Sequence, residues 1–276
     1  MMTNLDDRLP PSSATSLRAG NGEPLLLLHG GTSSWHCWES VAPLLFDDHD
    51  VFAPTMAGHA GMPDLPRPYT IAKAVDWLEK TMDEAGFETA HIAGNSLGGW
   101  LGMELARRGR ARSVIALSPA GAWSTTETRV PRIFRIMHAQ QRLGAPVLPL
   151  VMRPPALRRA LLRTVCEHGD RLTADQAVLA ARNALRCTAL DDFPSVIATE
   201  YEPYGMLDIP ILIAWSEKDR ILPADHYAAN WRRYAPSATW RTLPDVGHVP
   251  MYDNPELVAR TILEWTAHAT AIRTAS

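Results

Sequence analysis

The chain of 276 residues exceeds one average domain but suits a single large α/β unit, and 46% apolar with 21% charged residues supply a sizeable core. That composition lies far from the low-hydrophobicity, high-charge corner where chains stay disordered. A formal net charge of −3, with Lys and Arg spread along the sequence, leaves no basic face for nucleic acid, and no apolar run reaches the ~18–20 residues that span a bilayer.

Residues 1–16 are polar and proline-bearing, with neither the basic start nor the apolar run of a secretory leader. Three cysteines, Cys37, Cys166 and Cys187, are far apart and in no metal-binding or redox spacing. They indicate no disulfide framework, so a reducing cytoplasm fits best. Residues 15–19 could supply a sheet-edge strand. The apolar run 25–28 ends in His29-Gly30-Gly31, as a fully buried strand entering a tight loop should. Residues 51–53 before Pro54 read as the next strand. Across 70–85, Ile71, Ala74, Val75 and Leu78 recur at helical spacing while Lys73, Asp76, Glu79 and Lys80 take the other face, and Gly86 supplies the stop.

A strand over 90–93, a helix over 97–108 ending at Gly109 and a strand over 113–117 come next. From about 122 to 205 the rhythm changes to helical patterns interrupted by Pro131, Pro146, Pro149, Pro154, Pro155 and Pro194. This predicts a core of residues 1–121 and 206–276 with a helical cap, 122–205, inserted between them. A strand over 210–215, a helix over 224–234, a strand over 238–243 and a closing helix over 255–268 complete the chain. The alternation predicts a largely parallel sheet.

Gly94-Asn95-Ser96-Leu97-Gly98 matches G-x-S-x-G and lies between a predicted strand and a predicted helix, the strand-turn-helix context in which a serine is presented as a nucleophile. Small residues are needed there because the turn strains the backbone and side chains would clash with strand or helix. The plainer alternative is a glycine-rich turn in which Ser96 caps the helix. Gly31 is the preferred upstream oxyanion donor, with Thr32 next, joining the amide of Leu97.

A serine hydroxyl needs a base within hydrogen-bond reach. Of ten histidines, His248 lies in a loop between the last strand and the closing helix, where it can reach back over the strand ends; His29 and His91 belong to buried strands or their ends. The imidazole needs a carboxylate to fix its tautomer. Asp219 follows the 210–215 strand; Glu217 could substitute, and Asp245 is near His248 only in sequence. Thr32, Trp35, Trp38 and Trp123 are candidate pocket residues, although aromatic residues at such places more often pack the core.

Ser96, Asp219 and His248, taken in that chain order together with Gly58-His59-Ala60-Gly61 and Gly247-His248-Val249-Pro250, resemble the α/β-hydrolase superfamily over nearly the whole chain. The resemblance implies a mostly parallel sheet of about eight strands with helices on both faces and a cap after the sixth strand. One strand before the first loop is hard to find. The serine at the elbow disfavours epoxide and haloalkane chemistry, which in this superfamily uses an aspartate nucleophile.

The expected activity is carboxylesterase-like or lactonase-like cleavage of a small, largely apolar substrate through an acyl-enzyme on Ser96. No cofactor or metal is implied, and the partner is a small-molecule substrate of a monomer or homodimer, with no nucleic acid and no membrane. Two alternatives stand beside it. One is a carbon–carbon bond hydrolase acting on a vinylogous diketone, a class whose elbow also tends to carry Asn before the serine, as Asn95 does; against it, Thr32-Ser33-Ser34 departs from that class's oxyanion loop. The other is a non-catalytic small-molecule receptor on the same scaffold.

Overall fold

The computed structural model describes residues 9–11, 13–123, 126–197 and 202–275. Residues 1–8, within the polar, proline-bearing stretch read above, lie outside the described residues, as do 124–125 and 198–201 of the expected insertion.

Seven strands form one sheet among the described residues: β1 Ser16–Ala19, β2 Glu23–Leu28, β3 His49–Pro54, β4 Ala90–Asn95, β5 Ala111–Leu117, β6 Ile211–Ser216 and β7 Thr239–Leu243. Their spatial order is β1-β3-β2-β4-β5-β6-β7, with β1 antiparallel to β3 and every other neighbouring pair parallel. Strand β2 lies between β3 and β4, so successive crossovers leave it in opposite directions. Open parallel sheets hold ligands beyond their carboxyl ends at such a switch point.

The four leucines of β2, Leu25 to Leu28, are fully buried, and they alternate between faces: Leu26 and Leu28 join one core cluster, Leu25 and Leu27 the other. Covering both faces of a parallel sheet is what makes its strands continuously apolar instead of alternating. Helix α1, Ile71–Glu84, starts at Thr70, whose hydroxyl accepts from the Lys73 amide, and buries Ile71, Ala74, Val75, Leu78 and Met82. Helix α2, Leu97–Arg107, leaves the end of β4 directly.

Between β5 and β6 come α3 Arg129–Gly144, α4 Leu148–Val151, α5 Pro155–Leu162, α6 Ala174–Leu185 and α7 Phe193–Ile197. Pro131, Pro149, Pro155 and Pro194 all fall in the first turn of a helix, where the missing N–H has no intrahelical acceptor to lose. These prolines begin helices. Helix α8, Ala224–Tyr234, precedes β7, and α9 Pro250–Asp253 and α10 Pro255–Ala275 end the chain, α10 running well past the expected limit at 268.

At the sheet end opposite the serine, Glu23 ties β2 to α10. Its carboxylate accepts from Thr270 Oγ1 at 2.6 Å and from the Arg273 guanidinium, and also pairs with His91 Nε2 at 2.9 Å and Arg112 at 3.2 Å. Partial burial would raise its pKa, but the bonds from Thr270, His91 and Arg273 prevail and hold it down to about 2. The carboxylate therefore contributes stability that is fully present above the ordinary range near 4.3 and is lost as pH falls toward 2. With one-third exposure and solvent screening, Glu23→Gln should cost about 1–2 kcal/mol at pH 7. Urea unfolding of both proteins should show this gap closing as pH drops from 5 to about 3; a gap independent of pH would mean that shape, not charge, holds the contact.

Candidate active site

Ser96 stands between β4 and α2 with φ +55° and ψ −115°, a left-handed backbone that a non-glycine residue adopts only when its surroundings impose it. The imposing contacts are short. A Cβ on Gly94 would lie 2.2 Å from the carbonyl oxygen of Gly98, and one on Gly98 would lie 2.3 Å from that of Leu28. The glycines let the start of α2 press onto β4 and β2. The Ser96 amide donates to Leu117 O at 3.0 Å and its carbonyl accepts from Ala120 N at 2.9 Å, so the next strand and its loop hold the strained residue.

The structure brings His248 and Asp219 together. His248 Nδ1 donates to Asp219 Oδ2 at 2.7 Å, and both side chains are buried. The other carboxylate oxygen of Asp219 accepts from the amides of Ile221 at 2.9 Å and Leu222 at 2.7 Å, which fixes its plane. The two competing carboxylates are occupied elsewhere. Asp245 pairs with Lys218 and with His168 Nε2 at 2.9 Å, while Glu217 accepts from the Asp245 amide at 2.8 Å.

Asn95, noted above as a feature of carbon–carbon bond hydrolases, has a structural employment: its Nδ2 donates to His248 O at 2.8 Å and to Leu117 O at 3.2 Å. It binds the elbow to the histidine loop. His29 is likewise structural. Its Nδ1 donates to Gly30 O at 2.8 Å, its Nε2 accepts from the Met56 amide at 2.9 Å, and burial pushes its pKa down to about 3, so it stays neutral.

Asp253 escaped the sequence reading. It is fully buried, and its carboxylate accepts from the amides of Gly247 at 2.6 Å, His168 at 2.6 Å and Glu167 at 3.0 Å, while the Arg171 guanidinium donates to its main-chain carbonyl. Val249 N also donates to Val165 O at 2.9 Å. A Cβ on Gly247 would stand 2.8 Å from the Cα of Cys166, so this glycine admits the incoming backbone. The histidine loop is thereby clasped to the helical segment between β5 and β6. No motif signals this, because an aspartate just after Val249-Pro250 reads as an ordinary helix-start residue.

Two cavities meet at Ser96. The first has empty space of about 550 Å³, its mouth included, and is walled chiefly by Trp100, Trp123, Val130, Phe134, Phe193 and Val196. The second lies on the side of His248, between Tyr252, Met137, Leu162 and Val165. Gly31, Thr32, Phe134 and Ile221 border both. Leu97 N–H is at the first turn of α2, where amides have no intrahelical acceptor. Thr32, the second choice for the upstream donor, has its amide toward Cys187, and Gly31, the first choice, borders both cavities beside Ser96.

Trp123 lines the first cavity, edge-on to Trp100 with ring centroids 5.7 Å apart. Trp35 does not reach either cavity. It packs with Trp38 in the core cluster on the other side of the sheet and donates its indole N–H to Ala14 O at 2.7 Å. After Thr32 the chain lays residues 35–38 against β2 and β3 on that face, so proximity in sequence to Gly31 misleads here. Among the described residues no group of three or more His, Cys, Asp or Glu could hold a metal ion, and no helix is long and apolar enough to cross a membrane.

A mostly parallel sheet with a strained serine elbow at its switch point is the architecture of the α/β-hydrolase class. The chain belongs to the alpha/beta hydrolase family, whose model matches residues 25–261. It is 31% identical over 214 residues to epoxide hydrolase EphH of Mycobacterium tuberculosis, covering 72% of this chain and 98% of that one. Among solved structures it resembles a thermophilic esterase from Thermogutta terrifontis, with a TM-score of 0.70 and 21% identity over 95% of this chain and 97% of the other. A meta-cleavage product hydrolase from Pseudomonas fluorescens also gives 0.70, with 21% identity over 92% and 94% of the two chains.

Asp253→Ala removes the acceptor of three buried amides, each costing about 1 kcal/mol or more when unsatisfied. The expected loss is about 3 kcal/mol, read as a fall of ~6–12 °C in the thermal midpoint by circular dichroism. A fall under about 2 °C would show that the amides find other acceptors.

Proposed function

We propose that this chain is a serine hydrolase that cleaves a carboxylic ester or lactone of a small, largely apolar substrate through an acyl-enzyme on Ser96. The observation that carries the reading is the buried His248–Asp219 hydrogen bond beside a strained elbow serine at the meeting point of two cavities. Asp219 keeps the proton on Nδ1, so Nε2 is the basic nitrogen that takes the Ser96 proton as Oγ attacks the carbonyl carbon. The amides of Gly31 and Leu97 receive the oxyanion. His248 then protonates the leaving group, and water, activated by the same imidazole, releases the acid.

The two cavities divide the substrate. The group that leaves must be within reach of His248, so it occupies the second cavity, and the acyl part occupies the first, whose walls are aromatic and aliphatic. The helices between β5 and β6 supply most of the first cavity's outer wall and act as its cap. Three buried free thiols support a reducing, cytoplasmic setting.

Similarity to an epoxide hydrolase raises ring opening as a second chemistry, but the residue at the elbow argues against it. Opening an epoxide with Ser96 would leave an alkyl ether, which has no carbonyl for water to attack; an aspartyl ester would have one. Carbon–carbon cleavage finds no support in Asn95, whose amide is committed to His248 O and Leu117 O.

Hydrolysis of p-nitrophenyl esters from two to twelve carbons, with fluorophosphonate labelling, tests the reading. Ser96→Ala should abolish labelling and lower kcat by about 10⁴-fold or more, and Asp219→Asn by roughly 10⁴-fold with binding retained. Labelling without ester turnover would move the search to diketones. Neither in folded wild-type protein would overturn the enzyme reading in favour of a receptor.

A further inference from the structure

One chemically active pair in the first cavity takes no part in this mechanism. His59 and Cys187 both border the cavity beside Ser96, and both are buried. Their loops are laced together by backbone bonds. Gly61 N donates to Arg186 O at 3.1 Å, Ala189 N to Gly58 O at 3.1 Å, and Thr188 Oγ1 to the same Gly58 oxygen at 3.2 Å. Gly58, at φ +71°, makes the turn that allows this, and a Cβ there would lie 3.2 Å from the Cβ of Ala189. The fold therefore sets the imidazole and the thiol side by side in the cavity wall, close enough for each to shift the other's proton affinity.

His59 Nδ1 donates to Ala57 O at 3.0 Å, which leaves Nε2 to exchange a proton with the sulfur. The other titratable rings facing His59 are His29, edge-on with centroids 5.1 Å apart and neutral, and Tyr69, at 6.1 Å. Burial would raise the thiol's pKa, yet the His59 charge and hydrogen bond, with the amides of Leu190 and Thr32, bring it below the ordinary value. Burial would likewise lower the imidazole, and Cys187 with the Ala57 carbonyl raises it instead. The other two cysteines lack such partners and burial dominates them. Cys37 is pushed up to about 12, and Cys166 is also raised, with Asp253, Asp170 and Glu167 adding to the effect.

We propose that Cys187, paired with His59 in the wall of the first cavity, is a covalent modification site for small α,β-unsaturated carbonyl compounds that enter where the acyl group would lie. The thiol proton passes to His59 Nε2, and the thiolate attacks the β-carbon, forming the S–C bond as the π pair moves to the α-carbon and carbonyl. The imidazolium then returns its proton to the α-carbon. The product is a thioether and a neutral imidazole, with no oxidant or reductant consumed. An adduct there fills the cavity next to Ser96 and stops turnover. Cys187 is thus a second nucleophile of the pocket, reached by the same route as the substrate.

Methyl vinyl ketone, limiting and at pH 7, is the probe, with peptide mapping by mass spectrometry as a readout independent of ester turnover. The first adduct should be on Cys187, with Cys37 and Cys166 labelled only after unfolding in urea. Cys187→Ser should give no adduct, and its treated rate on p-nitrophenyl butyrate should equal its own untreated rate, while wild type loses activity in step with labelling. His59→Gln should slow labelling by about tenfold, since an ordinary thiol is only a few per cent ionised at pH 7 and a thiolate of lower pKa is somewhat less nucleophilic. If that variant does not fold, the wild-type pH profile decides: half-maximal labelling below the ordinary thiol value of about pH 8.5 supports the pair. Half-maximal labelling at or above about pH 8.5, equal labelling of the three cysteines, or an unchanged rate in folded His59→Gln would each overturn it.

Discussion

The site depends on one close approach, that of the first turn of α2 to the ends of β2 and β4. Carbonyl oxygens of Leu28 and Gly98 stand where side chains would be if Gly98 and Gly94 carried them. With the helix that close, Ser96 has no room for an ordinary backbone and adopts φ +55°. Everything else in the site is fastened to this turn. Asn95 holds the histidine loop to it, and Leu117 O and the Ala120 amide hold it to β5 and the loop that follows. A strain of ~1–3 kcal/mol at one residue is sustained because four elements over-determine its geometry.

The same rigidity explains how the histidine reaches its place. The Asp219 carboxylate has one oxygen on the amides of Ile221 and Leu222 and the other on His248, so Asp219 is itself oriented while it orients the imidazole. On the other flank, Asp253 and Gly247 bring the backbone of Cys166 and Glu167 against the loop. Ser96, Asp219 and His248 thus come from three strand ends, each braced by its own backbone hydrogen bonds. This is why residues far apart in sequence form one constellation.

Much of this was legible in the chain alone, because the relevant signals are local. The apolar run of β2, the glycines around Ser96 and the loop position of His248 each reflect a constraint that acts within a few residues. The strand-helix rhythm gave the sheet, although four of the prolines read as interruptions of the 122–205 segment, Pro131, Pro149, Pro155 and Pro194, sit in first turns. What sequence could not reveal was contact between distant loops. Asp253 bonds Glu167 and His168, 86 and 85 residues away, Asn95 bonds His248, 153 residues away, and His59 and Cys187 come together from separate loops. Trp35 failed for the complementary reason: it neighbours Gly31 in sequence, but residues 35–38 lie against β2 and β3 on the other face of the sheet.

The clasp at Asp253 bears on how this scaffold could be re-engineered. Replacing the helices between β5 and β6 is the obvious way to give the pocket a new shape. Here that segment also provides the amides of Glu167 and His168 and the carbonyl of Val165, against which the loop carrying His248 is seated. A transplanted segment lacking this seam would reshape the pocket and loosen His248 in one stroke. A graft that keeps residues 165–168 in register separates the two properties, leaving the remaining helices as the interchangeable part.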